Sequence, residues 1–286
     1  MYLIKKIINS ALENSKLIKS KINYFSKTKK PVLIIGDGIS SMYVQNILCQ
    51  YEYIIICNLS ILNQKLYNLS PLYWVLREPS FLLPNIFGLN RSNFKKETGF
   101  RKLLVKKIKD LSNTIGIFHP KGRLFNFYKW KIKNSLFLSP KYEFKLESGD
   151  IYNFFDGAFQ TCVGMALLSG FKNIHCVGFD AWLLNPKNNL RWYSKCSNPD
   201  DYDQKFLDEN CPDFLKIASK NSNISVYSYR HYKVKYKILS EIKSTQKFIY
   251  IPQIDMEKYM DLKSLMLWRE EEASNKKHPN GYNVKK

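Results

Sequence analysis

Histidine is scarce in this 286-residue chain: there are four, and none falls between Ala181 and Arg230. No Ser-His-Asp or HExxH arrangement emerges from them, which speaks against the commonest hydrolase chemistries. The six cysteines (Cys49, Cys57, Cys162, Cys176, Cys196 and Cys211) show no CxxC spacing. A zinc cluster or a disulfide framework is therefore not expected, and a reducing compartment is. No apolar run approaches the roughly 20 residues of a membrane-spanning helix. No apolar core precedes a small-residue cleavage site, as a secretory signal requires. The glycines form neither a GxGxxG fingerprint nor a Walker GK[ST] loop. A cytoplasmic protein is the expectation.

Acidic residues are also few, 24 against 45 Lys and Arg, for a formal charge of +21. That balance suits nucleic acid, an anionic membrane surface or a phosphate-rich substrate. Its distribution is more informative than its sum. Residues 1–30 carry eight lysines and one acidic residue, Glu13, with Leu3, Ile4, Ile7, Ile8, Ala11 and Leu12 recurring at roughly helical spacing. They read as a basic amphipathic helix that either lies on an anionic leaflet or packs on the globular domain. From Lys95 to Lys133, basic residues alternate with Phe100, Phe125, Phe127, Tyr128 and Trp130. Such a stretch holds nucleic acid, forms a surface for sugars bearing phosphate or carboxylate, or covers a sheet as a solvated helix. With no RNA- or DNA-binding motif, nucleic acid ranks last.

Short apolar strands alternate with helical stretches, which favours a Rossmann-like α/β domain, with a mostly parallel sheet covered on both faces. Thr161 to Asp180 is the densest segment: small and apolar residues suit a helix packed closely on a sheet, and Gly170 stands at a left-handed C-cap. Asn173 to Val177 then reads as a buried strand ending at Gly178-Phe179-Asp180. Residues just past the carboxyl end of a strand line the ligand crevice in open α/β sheets. Upstream, Val32-Leu33-Ile34-Ile35 reads as a second buried strand, followed by Gly36-Asp37-Gly38-Ile39-Ser40-Ser41. The glycines permit a sharp turn and close approach to a ligand, and the serines suit a helix cap that favours an anion. The same letters also describe an ordinary strand-to-helix turn.

Together these segments resemble the bacterial sialyltransferases of glycosyltransferase family 42 and related Rossmann-like proteins. The family's G-[ND]-G-x-S loop is matched by Gly36-Asp37-Gly38-Ile39-Ser40, and its Cys-Asn pair by Cys57-Asn58 after Tyr53-Ile54-Ile55-Ile56. Its Asn-Pro-Ser appears as Glu78-Pro79-Ser80, with Glu in place of Asn, and its closing G-[IF]-D as Gly178-Phe179-Asp180. The resemblance spans Pro31 to Tyr229. It implies transfer of a sialic-acid-type sugar from a CMP-activated donor to a cell-surface glycan or lipid-linked saccharide, without a metal and with no cofactor beyond the donor. Gly36, Asp37, Gly38, Ser40, Asn58, Ser80, Gly178 and Asp180 are then expected to hold the nucleotide, with Asp156 and Gly157 across the crevice. Tyr193 is expected to support the departing phosphate, with Arg191 beside it.

The chain departs from the family at the base. A histidine acts there between the G-x-D strand and the next helix, and here the equivalent neighbourhood is Asp201-Tyr202-Asp203. Asp203 is one candidate base, although an unperturbed carboxylate near pKa 4 is weak for the task. His119 is another, at the carboxyl end of the strand expected at Gly116-Ile117-Phe118; His231 after Ile224–Tyr227 is comparable. His175, inside a strand, reads as a core position, and His278 as part of a solvated tail. Asp201 and Asp203 also spell DxD, but after Asn198-Pro199 they suit a helix N-terminus without a metal. The expected organisation is a basic helix over residues 1–30, a nucleotide-sugar-binding domain over 31–232, and a helical extension with a polar tail over 233–286. Two alternatives stay open: a pterin pyrophosphokinase-like or other nucleotide-dependent transferase, and a non-catalytic membrane-associated binding protein.

Overall fold

The computed structural model describes Ile22, Phe25 and residues 28–62, 69–77, 99–120, 122–125, 132, 134–179, 189–191, 194–196, 213–229 and 248–251. Its centre is strand β1 (Val32–Ile35), four apolar residues with no solvent exposure at all. Continuous apolar runs of this kind belong in parallel sheets covered on both faces, and β1 has parallel neighbours on each side. On one side lie β2 (Tyr53–Cys57), β3 (Tyr73–Leu76), β4 (Ile115–Phe118) and β5 (Ser135–Phe137), each the next in the chain. After two short antiparallel strands, β6 (Phe144–Lys145) and β7 (Ile151–Tyr152), the chain returns through a helix to β8 (Asn173–Val177) on the other side of β1. A second small hairpin, β9 (Asn189–Arg191) with β10 (Ser194–Cys196), precedes β11 (Asn223–Tyr229) and β12 (Phe248–Ile251), which extend the sheet beyond β8. The eight strands are ordered β12-β11-β8-β1-β2-β3-β4-β5 and all pair in parallel. The strand order reverses between β1 and β8, and that is the switch point of a doubly wound, Rossmann-like α/β fold.

The alternation of side chains along each strand builds two cores. Val32, Ile34, Ile55, Tyr73, Val75, Ile174 and Cys176 face helix α3 (Ala158–Leu168) and helix α4 (213–221). Leu33, Ile35, Ile54, Ile56, Trp74, Leu76 and Val177 face the opposite layer. That layer includes the 3-10 segments Ile39–Asn46 and Asn58–Leu62 and helix α1 (Gly99–Asp110), whose Leu104 and Ile108 are buried while Lys106 and Lys109 are exposed. The short helix α2 (Gly122–Phe125) follows β4. Burying each large aliphatic side chain contributes about 1.5–3 kcal/mol, so the central strands dominate the core.

Helix α3 is buried on every side, Phe159 through Leu167 without exception, and apolar apart from Gln160 and Thr161 in its first turn. It ends as the sequence suggests: Gly170 has φ 82°, its N–H donates to Leu167 O (2.9 Å), and Phe171 N–H donates to Ala166 O (3.1 Å). These are the two bonds of a Schellman cap. Its last turn meets the amino edge of the sheet, where the Ser169 and Tyr73 hydroxyls lie 2.7 Å apart. Its first turn therefore stands at the carboxyl edge. Phe25 donates its N–H to Ser169 O (2.7 Å) and stacks with Phe171 and Tyr53 near the same amino edge. Residues 1–21, the bulk of the basic N-terminal segment, lie outside the described residues, as do His231 and His278.

One element departs from expectation. The run at 248–251, within the helical extension expected over 233–286, is an edge strand in register with β11, with Val226 opposite Phe248 and Tyr229 opposite Ile251. Four residues bounded by polar stretches carry too little periodicity to announce pairing with a strand twenty residues earlier. Residues 233–247 and 252–286 lie outside the described residues. Among those described, no helix is long and apolar enough to cross a membrane.

His175 occupies a packed position. The Tyr51 hydroxyl lies 2.6 Å from its Nδ1 and 2.8 Å from the Tyr227 hydroxyl, and burial holds the imidazole below its ordinary pKa. The folded state thus favours the neutral ring, and its contribution to stability is complete above the unfolded pKa near 6.5 and declines as pH falls below it. Urea midpoints measured at pH 7.5 and 5.5 should fall further for the wild type than for His175→Gln; equal losses would exclude the imidazole as the source.

Candidate functional site

The registers bring the sequence-predicted residues to one edge. Ile35 pairs with Val177, so Gly36 and Gly178 leave β1 and β8 side by side. Leu76 pairs with Phe118, so Arg77 and His119 leave β3 and β4 side by side. Cys57 pairs with Val75, which sets Asn58 at the end of β2 between these two pairs. Asp156 and Gly157 precede α3, whose first turn faces the same edge.

At the switch point, two loops are bonded backbone to backbone. Gly36 N–H donates to Val177 O (2.8 Å), Gly38 N–H donates to Gly178 O (2.7 Å), and Gly178 N–H donates to the Ser40 hydroxyl (2.8 Å). A Cβ on Gly36 would overlap the Gly178 carbonyl oxygen and lie 2.8 Å from the Phe179 ring. Gly178 has φ 79°, and a Cβ there would overlap the Gly36 carbonyl. The glycines are thus required by the approach of one loop to the other. Ser40 lies within the 3-10 segment, is fully buried, and accepts from the opposite loop; Gly38, at the start of that segment, has no side-chain cap, so the serines do not cap it.

Asp37 sits half-buried beside this lock. The buried Ser60 hydroxyl lies 2.6 Å from its Oδ1 and 2.7 Å from the Gly36 carbonyl oxygen, fixing the carboxylate to the loop. Asn58 adopts φ 46°, a left-handed conformation that asparagine tolerates better than most residues. Its carbonyl accepts from Trp74 Nε1 (2.8 Å), while its buried side-chain Oδ1 has no hydrogen-bond partner among the described residues.

Two neighbours were not singled out from sequence. Arg77, 4% exposed, donates from Nη1 to Phe118 O (3.0 Å) and Leu138 O (2.7 Å), leaving Nε and Nη2 without partners among the described residues. Burial pushes its pKa down to about 10, with the charge of Asp156 acting in the opposite direction, so it remains a cation at neutral pH. Gln160, in the first turn of α3, is 2% exposed and its Oε1 is likewise unpartnered. With the Ser41 hydroxyl, every unpartnered buried side-chain atom among the described residues stands on this carboxyl edge. Buried polar groups are nearly always paired, so this concentration asks for an explanation. A signal was available for Arg77, a cation immediately after the apolar run Tyr73–Leu76 and before Glu78-Pro79-Ser80. Ser60 and Gln160 carry no comparable mark.

His119 follows β4, is half-buried, and its carbonyl accepts from Gly122 N–H (2.9 Å). Ser80, Asp180, Tyr193 and Asp203 lie outside the described residues, as does the side chain of Arg191. No group of three or more His, Cys, Asp or Glu suited to a metal occurs among the described residues. A cavity of about 340 Å³, lined by Phe144, Leu146, Leu167, Gly170, Phe171 and Lys172, lies at the amino edge. It is therefore separate from the switch-point crevice.

An open parallel sheet with glycine loops bonded together at its switch point defines a Rossmann-like α/β protein. No protein-family model matches the chain, and no curated protein matches it in sequence. Among solved structures, it is similar to the MAf glycosyltransferase from Magnetospirillum magneticum AMB-1, with a TM-score of 0.46 and 13% identity over 86% of this chain. The chain covers 39% of that protein's length.

The lock at the switch point makes a graded prediction. Gly149→Ala introduces only left-handed strain, since φ is 89° with open space around it, and should cost about 1–2 kcal/mol. Gly178→Ala adds overlap with backbone, and should cost more than about 3 kcal/mol. Equal costs by urea denaturation would contradict the lock.

Proposed function

We propose that the chain is a glycosyltransferase that moves a sialic-acid-type sugar from a CMP-activated donor to a cell-surface glycan or lipid-linked saccharide. The observation that carries this reading is convergence. Gly36-Asp37-Gly38, Asn58 and Gly178, drawn from three separate motifs resembling family 42, stand on the adjacent strands β1, β2 and β8 at one edge. That edge is where open α/β sheets bind nucleotides.

In this reading the CMP phosphate lies against the Gly36–Ser41 loop, with Asp37, Asn58, Ser80 and Asp180 holding the nucleotide and Asp156 and Gly157 across from it. An acceptor hydroxyl oxygen attacks the anomeric carbon, the bond from that carbon to the phosphate oxygen breaks, and CMP leaves with the electron pair. The hydroxyl proton passes to a base, for which His119 and Asp203 are the candidates. Tyr193 donates to the departing phosphate. Positive charge grows on the sugar and negative charge on the phosphate, so fixed dipoles and orientation supply most of the rate. This chemistry needs no metal ion. The basic residues 1–30 would hold the protein near an anionic membrane surface, where lipid-linked acceptors reside.

A thermal-shift series with CMP, CDP, UDP, GDP and ATP, with and without Mg²⁺, tests the donor assignment. CMP at a hundred times its Kd should stabilise the protein by about 2.7 kcal/mol, with or without Mg²⁺. A response confined to a Mg²⁺-bound triphosphate would contradict the assignment and favour a pyrophosphokinase-like transferase.

A further inference from the structure

Among the described residues, Arg77 is a buried cation at the carboxyl edge that hydrogen-bonds through Nη1 alone. Its Nη1 is pinned between the carbonyls of Phe118 and Leu138, which end β4 and follow β5. That fixes the plane of the guanidinium and leaves the other side, Nε and Nη2, without partners. These two nitrogens form the side-on edge of the group, with parallel N–H bonds spaced to match two oxygens of a carboxylate or phosphate. Among the described residues, the acidic group whose field reaches Arg77 is Asp156, an exposed residue that makes no hydrogen bond to it. A desolvated guanidinium with one free bidentate edge and no bonded counter-ion is poised for an anionic partner.

Its place in the sheet says which part of a substrate that partner belongs to. The guanidinium reaches across β4 and β5, away from the β1 loop, and sits beside the start of the His119 turn. Strands are spaced at about 4.8 Å, so the ends of β1 and β4 are separated by roughly 14 Å. A phosphate held at the Gly36 loop therefore does not also occupy Arg77.

We propose that the Nε–Nη2 edge of Arg77 is an oxyanion subsite for the acceptor, so that the chain takes acceptors bearing a carboxylate or phosphate near the reacting hydroxyl. This rests on the transferase reading for the word acceptor, while the subsite itself stands on the geometry of Arg77. The negative charge of Asp156 opposes a second anion at this edge, so removing that charge strengthens oxyanion binding.

The test uses the full chain and titrates inorganic phosphate, glucuronate and CMP separately by calorimetry at fixed ionic strength. Phosphate or glucuronate should bind saturably, and whichever binds more tightly identifies the source of the oxyanion. Arg77→Lys, which retains the charge but not the bidentate edge, should weaken that binding at least tenfold and leave CMP affinity within twofold. Asp156→Asn provides a second reading that does not disturb the buried side chain and should tighten oxyanion binding about threefold. Absence of saturable binding by either oxyanion, or binding unchanged in both variants, would overturn the subsite and leave Arg77 as a clamp on two carbonyls. Failure of CMP to bind while the oxyanion response persists would remove the donor assignment and not the subsite.

Discussion

Everything at the carboxyl edge depends on two backbones approaching without side chains between them. Gly36 and Gly178 leave adjacent strands at the point where the sheet changes direction, and each occupies the volume a Cβ on the other would need. Three hydrogen bonds, from Gly36, Gly38 and Gly178, complete the junction, one of them received by the buried Ser40 hydroxyl. The loop that opens the 3-10 segment is thereby held rigidly from behind. Asp37, with its Ser60 partner, and Asn58 flank that junction on the carboxyl edge. A left-handed Asn58 and a buried, partly satisfied Arg77 stand on the same edge, and the proposed binding role would account for polar groups left unpaired there.

Much of this was legible in the sequence because the physics is local. Val32–Ile35 is a short, wholly apolar run and Asn173–Val177 carries Ile174, Cys176 and Val177 toward the core, so both read as strands once Gly36 and Gly178 end them, and Gly170 marks the helix end between them. The strand ends expected from those runs agree with the structure. What was not legible depended on pairing between distant segments. The 248–251 strand gains its identity from β11. Ser40 was expected to cap a helix, and it bonds instead to a loop 138 residues away. Arg77 and Gln160 are ordinary polar residues until the fold buries them. A position becomes chemically unusual through its neighbours, and single-sequence patterns do not record neighbours.

In the proposed reaction the two halves of the edge would divide the substrate. Strands β8, β1 and β2 bring the glycine loops and Asn58, groups suited to a nucleotide and its phosphate. Strands β3 and β4 bring Arg77 and His119, a buried cation and a titratable base on adjacent strand ends. A reaction joining a phosphate-activated donor to an anionic acceptor needs both sets, with the acceptor hydroxyl between them. The excess of basic residues over the whole chain is compatible with such anionic partners, and the proposed subsite would give one of them, Arg77, a chemical role.

The most direct test of the central claim, that the switch-point edge is the binding site, is to map amide chemical-shift changes on titration with CMP in an isotopically labelled sample. The account predicts that the largest changes fall on Gly36, Asp37, Gly38, Asn58 and Gly178, with the amide signals of Leu146, Phe171 and Lys172 at the amino edge unmoved. Changes concentrated at the amino-edge residues instead would contradict it, and would move the site to the other end of the sheet.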